Sequence, residues 1–197
     1  MLRLLVLIVG FALSGSLAQP LQAAIYQVDQ ERSSVEFQVK HLKIHNVSGR
    51  FGQFAGSLEF EASAPAAASC RGQIQVNSLD TGIKARDKHL LSNEIFDALE
   101  YPTIAWRSTR VGEQERGRLY GIVGELTIKD QTKPVNIDVK FYPGSFTEDQ
   151  LEPKVVHFQA TTTLNRNDFG VAWSDFKNGW VGDDVQVILD IYAKRAD

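Results

Sequence analysis

Alternation of apolar and polar residues dominates this chain and leaves few architectures open. Apolar side chains recur at every second position in Val35, Phe37 and Val39, and again in Phe54, Gly56, Leu58 and Phe60. The same period runs through Tyr120 to Ile128, Val135 to Phe141, Phe158 to Leu164 and Val185 to Ile191, with shorter stretches at Ile74–Val76 and Ile104–Ser108. A two-residue period puts one face of a strand inside and the other in water. About eight such strands, joined mostly by short polar turns such as Lys129–Pro134 and Val111–Arg118, predict an all-β chain. A meander with one apolar face closes naturally into a barrel, because closure removes exposed strand edges. The expectation is an eight-stranded antiparallel barrel with one short α-helix, in a single domain.

Residues 1–23 read as a signal peptide. Arg3 gives a short positive start, Leu4–Leu13 is an apolar run, and the small residues Ser14, Gly15, Ser16, Ala18 and Ala23 follow. The run is shorter than the roughly 20 residues that span a bilayer. Cleavage is expected after Ala23, with Ala18 as the second choice, leaving an exported, soluble domain over 24–197. The net charge of −3 and the lack of any basic run argue against a nucleic-acid partner. Cys70 is the only cysteine, so no intramolecular disulfide can form.

Inward positions include the large residues Phe37, Phe51, Phe54, Phe60, Trp106 and Phe158. They also include the small residues Gly49, Gly56, Ser108, Gly124, Ala160 and Thr162. Glycine inside a strand often marks a bulge or a ligand's close approach. The small set therefore suits either an internal cavity or the taper of a filled barrel.

The stretch Lys84–Pro102 gathers Arg86, Asp87 and His89, which suggests an active site. Leu91, Ile95 and Leu99 recur at four-residue spacing, with Leu90 and Phe96 beside them, so a helix from about Asp87 to Leu99 is expected. Successive helical residues turn by roughly 100°, which disperses the charges. Asp87 then serves the helix start, where a carboxylate meets the positive end of the dipole. His41 and His45 lie about 13 Å apart on one extended strand and cannot share an ion unless the chain turns between them. No Gly-x-Ser-x-Gly elbow, no His-x-x-x-His on a helix and no Cys-x-x-Cys occurs, so no catalytic or metal residue is assigned. Asp183–Asp184 reads as a solvated turn. His41 and Arg166 remain as polar pocket candidates. Arg166 either pairs with an internal carboxylate and closes the barrel end, the favoured reading, or meets an anionic head group. The tail from Phe169 through Trp173, Phe176 and Trp180 either rings a barrel mouth or packs under a loop.

Five strings stand out: YQVDQERSSVEFQVKH, VSGRFGQFAGSLEF, SLDTGIKARDKHLLSNEIFDALEYPTIAWRS, VGELTIKDQTKPV and LNRNDFG. Taken together they resemble the YceI-like family of exported polyisoprenoid-binding proteins. Ile95–Phe96 departs from the pair of aromatics often found there, which leaves the local pocket wall open to difference. The resemblance implies a lipocalin-like barrel, no catalysis, and a hydrophobic tunnel for a long isoprenoid such as a quinone or a polyprenyl phosphate. It settles the cavity question in favour of space. Phe37, Val39, Phe51, Phe54, Phe60, Trp106, Ile122, Leu126 and Phe158, with Leu90, Ile95 and Phe96 from the helix, are then the expected lining. At about 0.8 kcal/mol per buried methylene, such a tail needs no conspicuous polar motif to be held. The resemblance also implies a periplasmic location and points to a cytochrome b561-like membrane protein, near which such proteins are frequently encoded, as a partner; a monomer and a homodimer both stay open. The alternatives are an enzyme acting on isoprenoid pyrophosphates, with His41, Arg86, His89 and Arg166 converging, or a stress-related partner module of a membrane cytochrome.

Overall fold

The computed structural model describes residues 23–41, 45–61, 64–115, 119–142, 154–172 and 181–196. The segment 1–22, which carries nearly all of the expected signal peptide, lies outside them, as do Trp173, Phe176 and Trp180. Among the described residues eleven strand segments form one antiparallel sheet. They are β1 (Ala24–Val28), β2 (Ser34–His41), β3 (His45–Phe51), β4 (Phe54–Phe60), β5 (Ser69–Gln75), β6 (Leu79–Asp80), β7 (Thr103–Glu115), β8 (Leu119–Ile128), β9 (Gln131–Tyr142), β10 (Val155–Asn165) and β11 (Val181–Arg195). One helix, α1 (Lys84–Leu90), lies between β6 and β7.

The eleven segments make eight staves. β1 and β2 continue one another along the same edge of β11: Tyr26–Val28 pair with Arg195–Ala193, and Ser34–His41 with Asp190–Val181. β4 and β3 run opposite them in the same way, and β5 and β6 follow on the next edge. β7 to β11 complete the ring, and β11 closes it by pairing β10 on one side and the β1–β2 stave on the other. The eight-stranded antiparallel barrel expected from the alternation is therefore the architecture.

The three broken staves break at one level. A 3-10 turn at Gln30–Arg32, the corner Gly52–Gln53 and a second 3-10 turn at Val76–Ser78 lie side by side. They are stitched together by Phe54 N–H donating to Gln30 Oε1 (3.1 Å), Gly52 N–H to the Ser78 carbonyl (3.0 Å) and Gln75 N–H to the Gln53 carbonyl (2.9 Å). The backbone groups freed by each break are thus satisfied by the next stave. The corner also resets the parity: Phe51 and Phe54, three residues apart, are both buried.

β5 pairs with β7 only over Arg71–Gln75, and no ladder joins β6 to β7. Residues 81–102, with α1, occupy that gap. The helix is shorter than expected, seven residues and not a run to Leu99. The Ser92 hydroxyl donates to the His89 carbonyl (2.7 Å), and Asp97 takes a positive φ of 49°, so the chain leaves the helix in irregular turns. The spacing of Leu91, Ile95 and Leu99 consequently defines no single face. Ile95 is fully buried, whereas Leu99 is 95% exposed.

The core divides along the barrel axis. At the end away from α1, Tyr26, Phe60, Val156 and Ala193 are buried together. Phe60, Phe141 and Phe158 fill that end, with ring centroids 4.9 Å (Phe60–Phe141) and 5.0 Å (Phe141–Phe158) apart. Two glycines of the inner surface make room for rings and not for a ligand. A Cβ on Gly49 would overlap the Phe37 ring, and one on Gly124 would overlap the Trp106 indole and lie 2.5 Å from the Arg107 carbonyl oxygen. Gly124→Ala is accordingly expected to destabilise the barrel by about 1–3 kcal/mol, the usual cost of overpacking. Urea unfolding of the variant checks it, and an unchanged midpoint would contradict the close approach.

Candidate functional site

At the α1 end the barrel is hollow. A cavity of about 660 Å³ runs between the strands and α1. Phe37, Val39, Phe51, Trp106 and Leu126 border it from β2, β3, β7 and β8. Leu90, Ile95 and Phe96 border it from α1 and the turns that follow. Four residues expected in the lining lie elsewhere. Phe54 is buried in the core cluster that packs around Phe51 and Val76. Ile122 and Phe158 belong to the layer of Ile137, Val139 and Ala160. Phe60 sits in the aromatic cluster at the far end. Alternation identifies the inward face of a strand but not the depth along the barrel: Phe60, Ile122 and Phe158 face inward beyond the cavity, and Phe54 packs behind its wall.

Val47 borders the cavity and was missed, although its pairing with Val39 continues the parity of β3 back from Phe51. Val171 also borders it. It lies just beyond the 3-10 turn Arg166–Phe169, where no periodicity marks it.

Polar groups gather at the α1 end. Thr81, Arg86, His89 and Arg166 all border the cavity there. Thr81 is the hub of the connector before α1. Its N–H (3.0 Å) and its hydroxyl both donate to Asp87 Oδ1. The Arg86 Nε–H donates to Thr81 Oγ1 (2.8 Å), and an Nη2–H to the Thr81 carbonyl (2.8 Å). One residue earlier, the Gly82 N–H and then the Arg50 guanidinium hold the Asp80 carboxyl below the usual carboxylate range. Asp87 therefore anchors the corner that leads into the helix. Asp87→Asn keeps the acceptor oxygen but loses the charge, so stability should fall by about 1–2 kcal/mol with tail binding retained. Thermal unfolding beside a lipid titration checks this; loss of binding in a folded Asp87→Asn protein would contradict it.

Arg166 has only 10% of its side chain exposed. It donates to the Gly182 carbonyl (3.1 Å), to the Val171 carbonyl (3.0 Å) and to Asp183 Oδ1 (2.8 Å). That is the carboxylate-paired clamp, closing the barrel end. Asp183 lies in β11 and not in a turn, but its side chain stays 58% exposed, so the counter-charge is a solvated carboxylate and not an internal one. His89 Nε2 meets Glu94 Oε2 at 3.0 Å. Lys129, at the tip of the β8–β9 hairpin, donates to the carbonyls of Ile95 (3.0 Å) and Gly170 (3.3 Å), tying two turns across this end.

His41 ends β2 opposite His45, so the chain does turn between the two histidines and the 13 Å separation of a continuous strand does not apply. Their side chains lie outside the described part of the structure. Among the described residues no group of three or more His, Cys, Asp or Glu is placed to hold a metal ion. No described helix is long and apolar enough to cross a membrane.

A family model described as the YceI-like domain matches residues 26–193. The chain belongs to the YceI-like family. A UPF0312 protein of Vibrio cholerae is 33% identical over 165 residues, covering 83% of this chain and 86% of that relative. A UPF0312 protein of Pseudomonas aeruginosa is 33% identical over 175 residues, 88% of each chain. Among solved structures, BcnA of Burkholderia cenocepacia superposes with a TM-score of 0.76 at 24% identity, covering 84% of this chain and 98% of that one. A polyisoprenoid-binding domain from Saccharophagus degradans superposes with a TM-score of 0.67 at 14% identity, covering 88% and 99%. At such identities these likenesses speak for the fold: this YceI-like chain shares the barrel of both.

Proposed function

We infer that this YceI-like protein is a binding protein, not an enzyme, and that it holds the apolar tail of a long-chain isoprenoid lipid in the barrel cavity. The observation that carries the reading is the cavity itself: about 660 Å³, walled almost wholly by aliphatic and aromatic side chains. That size falls within the roughly 300–1,000 Å³ of ligand pockets, and an apolar wall selects an apolar guest. The likeness to a polyisoprenoid-binding domain supports the isoprenoid class. The polar groups around Thr81 and Arg86 border the cavity and would suit a head group, whether a quinone ring or a phosphate. Arg166 and His89 are engaged by Asp183 and Glu94, which fits a scaffold better than a catalytic constellation. The apolar leader pattern favours export and a periplasmic site of action, where the protein would carry, store or shield its lipid. A cytochrome b561-like membrane protein is the partner that reading suggests.

Titration of the delipidated protein tests the reading. A quinone carrying a prenyl tail should quench the emission of Trp106, which borders the cavity, while the same quinone ring without a tail should not bind. Equal binding of both would remove the tail from the account.

A further inference from the structure

The cavity ends abruptly, and along β7, β8 and β10 one side chain accounts for where it ends. Its border reaches Trp106 on β7, Ile137 on β9, Thr162 on β10 and Leu189 on β11. The next inward positions on β7, β8 and β10, Ser108, Gly124 and Ala160, do not border it and are small, whereas those on β9 and β11 are Val139 and Ile191. Small residues alone would let the lumen continue toward the aromatic cluster of Phe60, Phe141 and Phe158. On that side the Trp106 indole lies across Gly124, the residue that pairs with Ser108 one step deeper than the Trp106–Leu126 pair. From below, the indole packs on the layer of Ile137, Val139 and Ala160, which Ile122 and Phe158 complete.

We propose that Trp106, seated on Gly124, is the depth stop that sets how long a lipid tail the cavity accepts. The proposal rests on the tail-binding reading above and adds a specificity residue to it. At roughly 30 Å³ per heavy atom, the share a water molecule takes in the liquid, the cavity of about 660 Å³ holds about twenty carbon atoms, or about four isoprene units. Replacing the indole by a methyl group removes roughly nine heavy atoms and, on the same measure, opens room for about one to two further isoprene units.

The test is a competition. The purified, delipidated chain is offered a graded series of all-trans prenyl alcohols in excess, and the retained alcohols are extracted and identified by mass spectrometry. Trp106→Ala should shift the retained distribution toward longer tails by about one isoprene unit or more, and Trp106→Phe should shift it less in the same direction. Thermal unfolding identifies which variants are folded; should Trp106→Ala fail to fold, Trp106→Phe decides. A folded variant that keeps the wild-type distribution overturns the depth stop. If the wild type retains no prenyl alcohol of any length, the tail-binding reading itself fails, and the two failures are distinguishable.

Discussion

Phe96→Asp is expected to abolish tail binding in a barrel that remains folded. Phe96 is half-buried, borders the cavity and belongs to the irregular turns after α1, not to a strand ladder. Its backbone N–H donates to the Leu90 carbonyl (3.1 Å), a bond that any side chain at this position can keep. In the empty protein an aspartate there can be hydrated from the cavity. A lipid tail would strip that water and leave a carboxylate against hydrocarbon, a penalty of several kcal/mol even after relaxation. Each 1.4 kcal/mol is a factor of about ten, so affinity should drop by about a hundredfold or more. Quinone titration with circular dichroism as the fold control measures it, and wild-type affinity in the folded variant would mean that the tail lies elsewhere.

The largest stability loss is expected at Arg166. Its guanidinium joins the Val171 carbonyl, which follows β10, to the Gly182 carbonyl and Asp183 at the start of β11. Arg166→Leu leaves two partly buried carbonyls without that donor and Asp183 without its counter-charge. At about 1–3 kcal/mol for each abandoned buried group, tempered by the exposure of Asp183, the loss should be about 2–4 kcal/mol. Arg166→Lys should recover only part of it, since an ammonium is a point donor and cannot reproduce the planar fork. Denaturant unfolding of both variants gives the answer. An Arg166→Leu protein as stable as the wild type, but unable to take an anionic lipid, would show that the residue serves a head group.

Alternation made the barrel legible, because a residue period of two is a direct consequence of strand geometry. The corner at Gly52–Gln53 also has a trace in the sequence, since Phe51 and Phe54 are an odd number of residues apart. Depth was not visible. Phe60 and Phe158 carry the same inward signal as Phe37 and Trp106, yet they fill the far end while the others border the cavity. What separates them is register and the size of the facing residues, which one strand's pattern does not contain. The glycines could not decide between a cavity and a filled barrel for the same reason: Gly49 and Gly124 accommodate the rings of Phe37 and Trp106 on adjacent strands. The helix was foreseen but overextended, since an apolar spacing of four says nothing of Ser92 competing for a helical carbonyl or of Asp97 turning left-handed. The Arg166 clamp was half legible. A buried arginine demands a partner, but Asp183 looked like turn chemistry until β11 placed it opposite.

The most direct measurement is the content of the cavity. The protein, expressed as the full chain in a bacterial host and purified without detergent, is extracted with organic solvent and the extract is analysed by mass spectrometry against protein concentration. The account predicts a long-chain isoprenoid lipid in near-stoichiometric amount, lost from Phe96→Asp. A folded wild-type protein whose extract contains no such lipid, and which takes none up when offered, would contradict it.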